Sequence, residues 1–230
     1  MSHLVFAYGS LIATPEYGDR VTGRIFSKLM GYRREFNKRS PGRGAPRAQA
    51  YAAFDDVPKE YLTADWAYSL AVGTLSSSSD VIYGVTLEYP QRDWQAALSA
   101  MDAREGYDRN ADRATLGYVR STVTVHTDTC QLEAVTYLSN PGGRYDLPAD
   151  TPLDVRAKIL INGTPRQDTM LAKDTKVRGL GYLEQLRTEL RKHGFIDPDL
   201  EAQAEAVLKF DGPWTSDVAP PQLRNTSAKR

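Results

Sequence analysis

The order of elements along these 230 residues predicts an α+β fold. Three observations carry that reading. Strand-patterned runs fill most of the first ninety positions, a single helix-patterned segment follows, and two more strand runs come after it. The remaining periodic segments, toward the C-terminus, are helical. The regular strand–helix alternation of a doubly wound sheet is missing.

The first run is Leu4-Val5-Phe6-Ala7, a short apolar stretch that suits a buried strand. It leads into Tyr8-Gly9-Ser10-Leu11. Gly9 permits a sharp turn or a close approach to a ligand. Successive N–H groups in such a turn form a concavity that suits an anion such as a carboxylate. Gly31-Tyr32-Arg33-Arg34-Glu35-Phe36 mixes aromatic and charged residues as a half-buried strand does. Ser40 to Arg47 reads as a loop, with Arg43 and Arg47 either solvated or gripping a ligand carboxylate. Ala48 to Trp66 reads as an irregular insertion. Tyr68–Leu75 and Val81–Tyr89 read as two strands of a hairpin across Ser76-Ser77-Ser78-Ser79-Asp80.

Pro90 opens a helix carrying Trp94, Ala97, Leu98 and Met101 at helical spacing, with Asp93 near its start and Gly106 as its C-cap. Tyr118–His126 and Gln131–Leu138 are the next strands. Cys130 lies at the turn between them with no cation beside it in sequence, so it is not read as a nucleophile. Thr151-Pro152 reads as the cap and first residue of a helix that ends at Gly163. Thr164 to Arg178 reads as an exposed loop. Gly181 leads into a helix with Leu183, Leu186 and Leu190 on one face, and Arg191, Lys192 and His193 in its last turn. Asp197-Pro198 caps a final helix carrying Leu200, Ala204, Val207 and Leu208. Residues 1–211 are expected to form one domain and 212–230 a flexible tail.

Composition narrows the function. Apolar residues make up 41% and charged residues 25%, and 29 Lys plus Arg balance 29 Asp plus Glu. Nothing in that balance points to nucleic acid or to an anionic membrane. With one cysteine there is no internal disulfide. No signal-peptide pattern is visible at the N-terminus, and no apolar run reaches the ~20 residues of a membrane helix. The expected location is cytoplasmic. His3, His126 and His193 show no ligand spacing, so neither a metal nor another cofactor is expected.

The second informative stretch is Met101-Asp102-Ala103-Arg104-Glu105-Gly106-Tyr107. A half-buried carboxylate at the negative end of a helix has its pKa raised on two counts, which suits a general acid/base near neutral pH. Pairing of Glu105 with Arg104 or Arg109 on the surface is the alternative. Taken in order, the motifs resemble the γ-glutamylcyclotransferase superfamily, and look closest to its ChaC-like branch. Phe6 to Leu11 resembles the family's Tyr-Gly-Ser-Leu loop, and Gly31 to Phe36 its Gly-Tyr-Arg-Arg-x-Phe strand. Val81 to Val85 resembles its Gly-Val strand. Met101 to Glu105 resembles its Leu-Asp-x-Arg-Glu segment, and Val135-Thr136-Tyr137-Leu138 a late strand with a Tyr near the site. Gly181 to Leu186 and Gly194 to Asp197 resemble its C-terminal helices.

The resemblance implies a small mixed β-barrel with surrounding helices and a C-terminal helical extension. It implies a small-molecule γ-glutamyl substrate, Glu105 as catalytic acid/base, and Tyr8, Gly9, Ser10, Leu11, Arg43, Tyr107 and Tyr137 as substrate-binding residues. In the reaction the γ-glutamyl α-amine attacks its own γ-carbonyl, closing 5-oxoproline and expelling an amine. No metal, cofactor or protein nucleophile is needed. Ser10 lacks both a G-x-S-x-G context and an evident His partner. Arg43–Trp66 and Thr164–Arg178 depart from the family pattern, and they are loops expected to shape the leaving-group side. Three occupations stay open: turnover of glutathione or another γ-glutamyl compound, removal of a γ-glutamyl group from a biosynthetic intermediate or amine, and a non-catalytic barrel that binds a small anion or a partner. The leaving amine and the oligomeric state are likewise open.

Overall fold

A computed structural model describes residues 3–50, 65, 68–165 and 177–210. Most of the Ala48–Trp66 insertion, most of the Thr164–Arg178 loop and the tail beyond 210 lie outside the described residues. Five strands, β1 (His3–Ala7), β2 (Gly23–Ser40), β3 (Ser69–Tyr89), β4 (Tyr118–His126) and β5 (Gln131–Ser139), close a barrel in the order β1-β3-β2-β4-β5. The helices are α1 (Gln91–Glu105), α2 (Leu153–Asn162), α3 (Gly179–Lys192) and α4 (Pro198–Lys209). This is the expected α+β barrel.

The chain divides into two compact units. The first comprises 1–38, 72–148 and 189–195, and the second 39–71, 149–188 and 196–230. The first unit holds the barrel. β1 runs antiparallel to the end of β3, from His3 opposite Tyr89 to Ala7 opposite Val85. β4 and β5 form the expected hairpin, paired from Tyr118–Ser139 to His126–Gln131. Closure comes where Val5 meets Val135 in parallel, beside the Thr136 hydroxyl, which donates to the Phe6 carbonyl at 2.9 Å. Val5, Phe6, Leu29, Ile82, Val85, Leu87, Val125 and Ala134 are buried along these strands. Gly84 permits the tight β1–β3 approach, because a Cβ there would collide with the Ala7 carbonyl and the Phe6 ring.

The expected hairpin across the serines is corrected: residues 69–89 are one continuous strand. Serines favour turns by competing for backbone hydrogen bonds, but Ser76 to Asp80 contains no Gly or Pro to force a reversal. The neighbouring strand β2 is itself 18 residues long, far beyond the expected 31–36, and offers β3 an extended partner. The left-handed residue is instead Gly31 of β2 (φ 83°), placed beside the Ser77 carbonyl.

The second unit contains α2, α4 and most of α3. Pro152, not Thr151, occupies the N-cap of α2, and no side chain caps it. Asp197 caps α4 as expected, accepting from the N–H groups of Asp199 and Leu200. Arg187 of α3 is buried and grips both oxygens of Glu201 on α4 while also donating to Glu184. Two assignments change. Thr164, expected in an exposed loop, is buried, its hydroxyl donating to the Leu160 carbonyl (2.8 Å) and accepting from the Leu180 N–H (3.0 Å). Leu208 is 45% exposed, and the buried face of α4 is Leu200, Gln203, Ala204 and Val207.

Candidate active site

The C-terminus of α1 is built by its stop signal. Gly106 is left-handed (φ 67°), and the N–H groups of Gly106 and Tyr107 both turn back to the Asp102 carbonyl. Glu105 is therefore the last helical residue, at the negative end of the helix dipole. Its side chain is 14% exposed, with Oε1 3.6 Å from Arg104 Nε.

β1 delivers the second component. Beyond Ala7 the chain turns, with the Ile12 N–H donating to the Gly9 carbonyl and the Thr14 N–H to the Ser10 carbonyl, each at 3.0 Å. Tyr8 and Leu11 are buried, while Gly9 and Ser10 are partly exposed. The N–H groups of Gly9, Ser10 and Leu11 find no backbone acceptor among the described residues. The turn is held from beneath by Tyr8. Its hydroxyl donates to the Tyr137 carbonyl, and its own carbonyl accepts from Arg34 Nε at 3.1 Å. Arg34 is 1% exposed, and its Nη2 also donates to the Tyr83 carbonyl.

Arg104 joins the two components. Its Nη2 donates to Ser10 Oγ (2.9 Å) and Thr14 Oγ1 (3.1 Å), and its Nη1 to the Thr14 carbonyl (2.6 Å) and Glu16 Oε1 (2.8 Å). The sequence offers Arg104 chiefly as a surface partner for Glu105. In the fold its hydrogen bonds go to the loop after β1, and Glu105 receives only the longer Nε contact.

A further chain of contacts runs beside Glu105. The Tyr137 hydroxyl donates to Asp102 Oδ1 at 2.8 Å, and Arg120 Nη1 reaches Asp102 Oδ2. The Arg120 guanidinium also lies 5.0 Å from the centre of the Tyr107 ring. Burial pushes the Tyr137 phenol well above the usual tyrosine range. The hydrogen bond and charge of Asp102 add to this, as does the Glu105 carboxylate, so the phenol keeps its proton.

Tyr8, Gly9, Ser10, Leu11, Glu105, Tyr107 and Tyr137 thus all fall within the first unit. Arg43 belongs to the second, where it donates to the Val177 carbonyl at 2.6 Å and stacks over the Tyr182 ring at 4.0 Å. Sequence reasoning passed over Arg34, Asp102, Arg104 and Arg120 as site-builders. Arg34, Asp102 and Arg104 lie inside motifs that carry the resemblance, whereas nothing local marks Arg120. Among the described residues no group of three or more His, Cys, Asp or Glu is placed to hold a metal ion, and no helix is long and apolar enough to cross a membrane.

No family model matches the sequence, and no curated protein does. Solved structures do match the fold. A crystal structure of a selenomethionine-labelled γ-glutamyl cyclotransferase specific to glutathione, from yeast, superposes with a TM-score of 0.64 at 17% identity. The match covers 90% of this chain and 96% of that one. A second crystal structure of a yeast γ-glutamyl cyclotransferase specific to glutathione gives 0.61 at 16% identity, covering 91% and 99%. At such identities the likeness is one of fold.

Proposed function

We propose that this protein is a γ-glutamylcyclotransferase of the ChaC-like branch, which closes the γ-glutamyl group of a small substrate to 5-oxoproline and releases an amine. The observation that carries the reading is the tie made by Arg104. One side chain fastens the helix end bearing Glu105 to a turn whose N–H groups suit a carboxylate. The barrel shared with the yeast cyclotransferase structures supports it.

The chemistry asks little of the protein. The α-amine and γ-carbonyl of the substrate are already joined, and well-oriented ring closures reach effective molarities of ~10⁵–10⁸ M. The Tyr8–Leu11 turn holds the glutamyl carboxylate through its backbone. Glu105 takes a proton from the α-ammonium, the freed amine attacks the γ-carbonyl, Glu105 passes that proton to the departing nitrogen as its C–N bond breaks, and the second proton of the new ring nitrogen goes to the released amine, which leaves as an ammonium. A panel of γ-glutamyl amides and γ-glutamyl peptides, glutathione included, tests the reading by mass spectrometry. Free 5-oxoproline from at least one compound is expected. Its absence from all of them would leave the non-catalytic binding barrel as the better account.

One variant probes the glutamyl end of the substrate. Gly9→Ala places a Cβ on the turn that approaches the glutamyl end. It is expected to raise KM for every turned-over compound by a similar factor, because all share that end. Discrimination among leaving groups in kinetic assays of this variant would move the turn to the other side of the site.

A further inference from the structure

We propose that Asp102 and Arg104 are positioning residues that fix the two site hydroxyls in opposite hydrogen-bonding senses, Ser10 as donor and Tyr137 as acceptor, and so select an unmodified α-amino-acid zwitterion. The inference rests on the γ-glutamyl reading and specifies how its constant end is recognised.

A hydroxyl has one proton to give and lone pairs to receive with. Arg104 Nη2 can only donate, so its 2.9 Å bond to Ser10 Oγ uses a lone pair and leaves the Ser10 proton for something else. No acceptor for that proton is present among the described residues, and Ser10 is partly exposed on the turn. Its free sense suits a carboxylate. Tyr137 is arranged the other way. Its proton goes to Asp102 Oδ1, whose second oxygen is held by Arg120, so the carboxylate cannot easily turn away. What Tyr137 has left is lone pairs, which suit an ammonium. Burial and the neighbouring carboxylates push the phenol well above the usual tyrosine range, so it keeps the proton that it donates.

The two positioning residues sit two positions apart at the end of one helix, immediately before Glu105. The Glu105 carboxylate acts electrostatically on the Tyr137 phenol. The ammonium that Tyr137 would accept is the one Glu105 is proposed to deprotonate. A carboxylate on Ser10 is held at the turn whose N–H groups point the same way chemically. Amidation of the α-carboxylate or acylation of the α-amine would each remove one half of the match.

Two truncated ligands separate the halves. Glutaramate keeps the carboxylate and amide of a γ-glutamyl amide but lacks the amine. 4-Aminobutanamide keeps the amine and amide but lacks the carboxylate. Inhibition constants are measured for both against 5-oxoproline formation by wild type, Ser10→Ala, Tyr137→Phe, Asp102→Asn and Arg104→Leu. Ser10→Ala and Arg104→Leu are expected to weaken glutaramate by about ten- to hundredfold and leave 4-aminobutanamide within about twofold. Tyr137→Phe and Asp102→Asn are expected to do the reverse. Asp102→Asn is isosteric and still lets the phenol donate, but its amide can also present a donor, so the fixed sense is lost. It decides the matter if Arg104→Leu does not fold. Equal weakening of both ligands by Asp102→Asn, an effect confined to the wrong ligand, or wild type indifferent to both ligands would overturn the proposal. Were wild type to form no 5-oxoproline from any γ-glutamyl compound, the catalytic reading itself would fall, which a lost ligand dissociation in an active enzyme would not imply.

Discussion

Glu105→Gln is expected to lower kcat by about 10²–10⁴ and to leave the fold intact, the range typical for removing a positioned acid/base. The substitution keeps the shape of the side chain at the capped end of α1 and removes its charge and its ability to carry a proton. The Gly106 cap, which uses the Asp102 carbonyl and no Glu105 atom, is untouched. KM should change less than kcat, because the proposed substrate grip lies in the Tyr8–Leu11 turn. Steady-state kinetics with 5-oxoproline detection, beside a thermal melt, makes the comparison. Turnover within about threefold of wild type would strip Glu105 of its role, given those magnitudes. Unfolding would instead show that its 3.6 Å contact with Arg104 is structural.

The parts of this site that were legible from sequence are those written in local signals. Gly106 as a C-cap follows from a helical period that stops at a glycine, and it fixes Glu105 at the helix end before any tertiary contact is known. The β4–β5 hairpin follows from two strand runs with a short polar turn. The class follows from the order of such elements. The barrel came only through resemblance, because closure depends on β1 meeting β5 across 130 positions, and no local pattern encodes that pairing. The serine run Ser76–Asp80 departs from its expected turn for the same reason: its turn chemistry is local, and a long neighbouring strand overrides it. Arg104 and Asp102 were visible as residues and not as functions. Ser10 lies 94 positions from Arg104, and Tyr137 lies 35 from Asp102, so only the fold reveals which lone pair and which proton each one uses.

Arg34→Met is expected to destabilise the first unit by about 1–4 kcal/mol and to raise KM for every γ-glutamyl substrate. Arg34 is read from sequence as one charge in an alternating strand, yet it is 1% exposed and bridges the buried Tyr8 carbonyl and the part-buried Tyr83 carbonyl. Methionine preserves much of the apolar stem and removes every donor. Loss of the bond to the buried carbonyl costs about 1–3 kcal/mol, and loss of the bond to the part-buried one costs less. The functional consequence follows from position. The Tyr8 carbonyl immediately precedes the N–H groups proposed to bind the glutamyl carboxylate, so releasing it loosens the turn at its root. Arg20→Met is the control from the same unit. Its guanidinium bonds to Asp19, the two side chains being 50% and 73% exposed, and an exposed pair of this kind is worth about 0–1 kcal/mol. Urea denaturation followed by far-UV circular dichroism, with KM measured for each variant that folds, compares the two. If Arg34→Met unfolded within about 1 kcal/mol of wild type, or no earlier than Arg20→Met, the buried guanidinium would not be what anchors the turn. A large loss of stability with KM unchanged would separate the barrel's need for Arg34 from the site's, and would place the rigidity of the turn in the Arg104 bonds to Ser10 and Thr14 instead.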